Sequence, residues 1–167
     1  MRYLVDTSVF LWSLGAERKW NKRAAELLVS DAAELYLSSA SSWEIVIKFA
    51  LGSLTLPSEP VQFVPQAMRA MGIRALDITH AHALEAGRLA AHHRDPFDRL
   101  LIAQARTEGM TLLTADRIFE RYKWNRFIAG SRKLDQTFRP DLQTATPICP
   151  RVVRKSWAFL STSALPC

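Results

Sequence analysis

The stretch His92-His93-Arg94-Asp95-Pro96-Phe97-Asp98-Arg99-Leu100-Leu101-Ile102-Ala103-Gln104 sets two carboxylates and two guanidiniums at the mouth of an apolar segment. Asp95 stands where a helix N-cap belongs and Pro96 suits the first helical position. The spacing therefore predicts a helix from Pro96 to about Glu108 that stops at Gly109. Asp98 falls in its first turn, with Phe97, Leu100 and Leu101 as candidate core anchors. An acid there gains only a few tenths of a kcal/mol against the helix dipole and is common in ordinary helices. Its meaning depends on whether other carboxylates reach the same place.

Upstream, Tyr3-Leu4-Val5 is an apolar run ending in Asp6-Thr7-Ser8, the pattern of a buried strand followed by a turn, with a short helix beginning at Val9. Asn21 can cap a helix over residues 22 to 30. Leu35-Tyr36-Leu37-Ser38 reads as a second strand. Ser41-Ser42-Trp43-Glu44 matches a capping box that opens a helix through Leu51, with Gly52 as its stop, and Glu44 could merely close that cap. A helix is expected over Pro60 to Met71, a third strand over Ile73 to Leu76, and a helix capped by Thr79 from Ala81 to about Ala91. Beyond Gly109, Met110 to Thr114 reads as a fourth strand, followed by Ala115-Asp116 and a short helix through Tyr122.

Alternating strands and helices predict an α/β fold: a sandwich of helices around a central, mainly parallel sheet of four to five strands. Parallel sheets carry their sites at the carboxyl ends of the strands. Asp6 follows the first strand, Glu44 opens the helix after the second and Asp116 follows the fourth. The helix of Asp98 runs antiparallel to the fourth strand, so its start lies near that strand's end. Four acids from separate places thus converge on one edge, which their separate capping roles do not predict.

Two carboxylates about 4 Å apart repel by roughly 4 kcal/mol at an effective dielectric of 20, so such a cluster needs a proton or a cation. Hard oxygen ligands select Mg²⁺ or Mn²⁺, and an open Mg²⁺ site shares its coordination with phosphate, which points to phosphodiester hydrolysis. Thr7, Ser8 and Thr114 could position water or a carboxylate, or serve the turns. Arg94, Arg99 and Arg117 could hold flanking phosphates or pair with Asp95 or Glu85. His80, His82, His92 and His93 lack the i, i+4 spacing of a helical zinc pair. A phosphatase with an aspartyl nucleophile is disfavoured because Asp6 has no second acid two residues on.

The chain's 167 residues, 49% hydrophobic, suit one domain with a sizeable core. The N-terminal segment reads as neither signal peptide nor membrane span, because Asp6 interrupts the apolar run, so a soluble cytoplasmic protein is expected. Cys149 and Cys167, both late in the chain, show no metal-ligand spacing. The formal charge of +6 is concentrated in residues 125–167, which hold 7 Lys and Arg against 2 Asp and Glu.

The runs Leu4-Val5-Asp6-Thr7-Ser8, Ser41-Ser42-Trp43-Glu44-Ile45, His93 to Ala105 and Leu113-Thr114-Ala115-Asp116 together resemble the PIN-domain ribonucleases, specifically the VapC toxins of toxin–antitoxin pairs. The resemblance covers residues 1 to about 124. It implies that Asp6, Glu44, Asp98 and Asp116 are the metal-binding acids, with Thr114 as an accessory and Asp95 as a cap. It further implies a Mg²⁺- or Mn²⁺-dependent endoribonuclease acting on tRNA, rRNA or mRNA and arresting growth, a homodimer, and a cognate VapB-type antitoxin. A catalytically silent RNA-binding or regulatory PIN module is the alternative. The chain departs from the family after Trp124, where Arg126-Phe127-Ile128 is the only nearby candidate for a last strand. Residues 125–167 hold four of the eight prolines and read as a poorly structured extension or the product of an altered reading frame, rather than an RNA-binding tail.

Overall fold

The computed structural model describes residues 1–14, 22–90, 95–117, 119, 122 and 126–128. Asn21, His92, His93, Arg94 and everything after Ile128, both cysteines included, lie outside the described residues.

The elements run β1 (Arg2–Val5), α1 (Thr7–Ser13), α2 (Lys22–Val29), β2 (Glu34–Ser38), α3 (Ser39–Ala50), α4 (Pro60–Met71), β3 (Arg74–Leu76), α5 (His80–Arg88), α6 (Pro96–Thr107), β4 (Thr111–Thr114) and β5 (Arg126–Ile128). The five strands form one sheet in the order β3-β2-β1-β4-β5, and each neighbouring pair is parallel. Arg126–Ile128 therefore pairs beside β4 as the last strand among the described residues, with Phe127 opposite Leu113.

The chain builds outward from β1 to β2 and β3, then returns to the other side of β1 with β4. The order reverses between β1 and β4, and in an open parallel sheet the crevice at such a reversal is where ligands bind. Consecutive strand residues face opposite sides of the sheet. Val5, Leu35, Leu37 and Leu113 pack on one side with Phe10, Leu28, Ile45, Phe63 and Met71 from helices α1 to α4. Leu4 and Leu112 pack on the other with Leu89, Leu101, Ile102 and Ala105 from the α5 and α6 region. Helices on both faces of a parallel sheet make the α/β sandwich expected from the sequence.

Several local expectations need correction. Helix α1 starts at Thr7, two residues early, because the Asp6 side chain is already its N-cap and accepts from the Ser8 amide at 3.3 Å. Helix α3 starts at Ser39, where Ser38 caps by accepting from the Ala40 amide at 3.0 Å. The Ser41–Glu44 capping box is consequently inside the helix and caps nothing. Helix α5 ends at Arg88 rather than Ala91, because Leu89 is extended at ψ 145.

Helix α6 keeps its expected start, with Asp95 accepting from the Phe97 amide at 2.9 Å. Its exit is a left-handed turn at Gly109, φ +62, where glycine alone carries no Cβ penalty. Its anchors differ in part. Leu101, Ile102, Ala103 and Ala105 are buried, whereas Phe97 and Leu100 are only half-buried. Leu101→Ala should therefore lower stability by about 2–5 kcal/mol, read as a shift in urea midpoint, while Leu100→Ala should cost clearly less. Equal losses would place the helix differently against the sheet.

Candidate functional site

The reversal between β1 and β4 is closed by hydrogen bonds between the two strand ends. The Asp6 amide donates to the Leu113 carbonyl at 3.0 Å. The Thr114 hydroxyl donates to Asp6 Oδ2 at 2.7 Å and accepts from the Asp116 amide at 3.1 Å. Thr114 is wholly buried, so one hydroxyl fixes both the Asp6 carboxylate and the backbone carrying Asp116. Burial pushes the Asp6 carboxyl up to about 6 against the hold of Thr114, and the charge of Glu44 adds to the rise.

Asp98 enters from α6. Burial pushes its carboxyl up to about 8, and the charges of Asp6, Asp95, Glu44 and Asp116 push in the same direction. Helix α3 and the ends of β1 and β4 thus deliver three acids whose charges bear on the carboxyl that α6 carries. Asp95, assigned to the cap, contributes to the same field.

Glu44 is held differently from the others. Its carboxylate pairs with Lys48 Nζ at 2.5 Å, one helical turn away, and only 13% of the Glu44 side chain is exposed. Lys48 also draws the Asp6 carboxyl downward. An internal ammonium therefore offsets part of the negative charge. As the side chains lie, no three His, Cys, Asp or Glu among the described residues stand close enough to enclose a metal ion. The donor set nevertheless has the chemistry of a hard divalent cation: oxygen ligands only, with protonation favoured where a cation is missing. The buried hydroxyls of Thr7 and Ser41, beside Asp6 and on the turn of α3 before Glu44, have no hydrogen-bond partner.

Arg99 turns to backbone carbonyls. Its guanidinium donates to the carbonyls of Ala86 and Leu89 at 2.8 Å and of Ala90 at 3.1 Å. It closes the end of α5, where no glycine cap is present. Glu85 pairs with Arg106 at 3.2 Å. Arg117 is exposed beside Asp116, and Arg94 lies outside the described residues.

His82, for which the sequence suggested only the absence of a zinc pair, is buried. Its Nδ1 accepts from the Thr79 amide at 3.1 Å and its Nε2 meets Glu108 at 3.2 Å. Thr79 and His82 form a reciprocal capping box, a role that only the Glu and Gln version of that motif would have signalled. Arg99 and His82 thus pin the antiparallel helices α5 and α6 at opposite ends, which fixes where α6 presents Asp98.

The site and fold together define a class of protein: an α/β/α domain with a carboxylate cluster at the reversal of a parallel sheet. The chain belongs to the PIN-domain family, whose model matches residues 3–125. It is 44% identical over 48 residues to Ribonuclease VapC16 of Mycobacterium tuberculosis, a match spanning 29% of this chain and about a third (34%) of that relative's length. Among solved structures, it is similar in fold to VapBC2 from Rickettsia felis bound to a DNA fragment from its promoter, with a TM-score of 0.58 at 15% identity, covering 77% of this chain and 99% of the other. DNA-bound VapBC from Salmonella typhimurium gives 0.56 at 16% identity, covering 77% and 98%. VapBC-1 from nontypeable Haemophilus influenzae gives 0.54 at 19%, with the same coverage.

The raised carboxyls have a consequence for the metal-free protein. Unfolded, Asp98 releases its proton near the ordinary value of 3.8, whereas folded it holds it to about 8. Across that window the folded state binds more protons, so its stability falls as pH rises. Asp98→Asn should remove this slope. In a chelator, the variant should melt at least about 2 °C above the parent at pH 8 and show little advantage at pH 4, as read by thermal unfolding.

Proposed function

We propose that this chain is a divalent-metal-dependent endoribonuclease and the toxin of a VapBC-type pair. The observation that carries this reading is Asp98, a carboxyl pushed up to about 8 by burial and by the charges of Asp6, Asp95, Glu44 and Asp116 in a PIN-family chain. Asp6, Glu44, Asp98 and Asp116 would hold Mg²⁺ or Mn²⁺. A bound ion there supplies positive charge to the scissile phosphate and acidifies a water.

The protein's own groups do the remainder. Thr114 keeps Asp6 oriented, so that the carboxylate needs no rearrangement to face the cluster. The Asp116 backbone amide is tied to the same hydroxyl. Asp98, once charged, accepts a proton or orients a water on the edge where phosphate must approach. Lys48 occupies Glu44 until a stronger cation competes for it.

The expected target is RNA of the tRNA, rRNA or mRNA class. A VapB-type antitoxin is the expected regulator, since the solved VapC neighbours occur in VapBC complexes. A homodimer and a cytoplasmic location belong to the same proposal. Among the described residues, no helix is long and apolar enough to cross a membrane. A catalytically silent RNA-binding module is the second reading, favoured by the engagement of Glu44 with Lys48.

Purified chain should cut RNA internally in Mg²⁺ or Mn²⁺, stop in chelator, and lose at least about a hundredfold in rate on Asp98→Asn. Undiminished cutting by that variant would remove Asp98 from the chemistry. RNA binding without cutting would favour the silent module. Lys48→Met should tighten Mg²⁺ and Mn²⁺ binding several-fold in calorimetry by removing the competing ammonium. Because Lys48 is more than a third exposed, its loss should cost no more than about 0.5 kcal/mol of stability.

A further inference from the structure

An aromatic pair stands on the same two helices as the acids. Trp43 precedes Glu44 on α3 and Phe97 precedes Asp98 on α6, and their rings meet in a T-shaped contact with centroids 5.2 Å apart and planes at 68°. Trp43 is 59% exposed, although an indole gains more from burial than most side chains. Phe97 is half-buried and steadies the Trp43 ring without covering it. The pair therefore presents a braced, solvent-facing π surface next to a cluster suited to phosphate chemistry.

We propose that Trp43, braced by Phe97, stacks against an unpaired base adjoining the phosphate held at the acids. This rests on the ribonuclease reading above. Successive phosphates and bases of an unpaired strand are within one nucleotide of each other, so a strand held at Asp98 and Glu44 brings a base to the neighbouring residues. Base–aromatic stacking requires a base free of a duplex stack and tolerates any base identity.

Position and area favour this occupant. Exposed Arg117 adjoins Asp116 in the chain, where a guanidinium can pair with a flanking phosphate. Val46, 47% exposed, is the large apolar neighbour of Trp43 one turn along α3. Together the two expose on the order of 200 Å². That suits one base, and falls well short of the roughly 800 Å² per partner of a stable protein interface.

The test uses full-length Asp98→Asn protein with Mg²⁺, so that RNA binds without being cut. Its affinity for a short unpaired oligoribonucleotide is compared with that for the same backbone carrying abasic sites. Trp43→Ala in this background should weaken binding of the base-bearing strand by roughly tenfold to a hundredfold and leave the abasic strand nearly unaffected. Trp43→Phe should recover most of the loss. Equal losses on both strands, or none, would overturn the proposal. So would a change of oligomeric state on Trp43→Ala that tracks the loss of RNA binding, since the ring would then serve a second copy of the chain. Cutting by the parent chain is scored separately. Base-dependent binding without cutting would sink the ribonuclease reading alone, and cutting with base-independent binding would sink the stacking alone.

Discussion

The structure depends on holding like charges together where the sheet reverses. Asp6 and Asp98 are both pushed above the ordinary carboxylate range, first by burial and then by neighbouring acids. Left to itself, such a cluster would relax by moving apart. The reversal prevents this on one side, because Asp6 is bonded through its amide to Leu113 and through its carboxylate to Thr114. On the other side, Asp98 rides on a helix whose buried face, Leu101, Ile102 and Ala105, is embedded in the core.

That helix cannot slide along the sheet without breaking more than apolar contacts. Arg99 fills the carbonyls at the end of α5 near the start of α6, and the Glu108 side chain meets buried His82 at the opposite end. The Arg2 guanidinium also donates to the Glu108 carbonyl, tying the exit of α6 to the first strand. Apolar packing resists separation of the helix from the sheet, whereas directional bonds resist translation. Their combination gives the acid a fixed position in a region of unfavourable charge.

The sequence made the outline of this arrangement legible because it depends on chain direction and periodicity. Strand and helix alternation places Asp6, Asp116 and the start of α6 on one edge, whatever the exact ends of each element. The details that escaped are those in which two local signals compete. Ser38 and Ser41 are both plausible caps, and the backbone resolves the choice for Ser38 because β2 runs directly into α3. Arg99 sits beside Asp98 in sequence, yet its partners are carbonyls of another helix, and only the antiparallel packing of α5 on α6 reveals them. His82 was invisible for a similar reason: its partner, Glu108, is 26 residues away.

Lys48 shows how part of the charge of such a cluster can be offset from within the fold. Glu44 has limited exposure, and an ammonium one turn along the same helix offsets its charge in a pairing that solvent keeps weak. The arrangement is also reversible. Lys48 is more exposed than Glu44, so its head can return to water on its flexible stem, leaving the carboxylate in place on α3. A fixed arginine fork would satisfy the acid more completely and release it less readily. The choice of lysine thus lets the charge of Glu44 be offset within the fold without fixing the carboxylate to one partner.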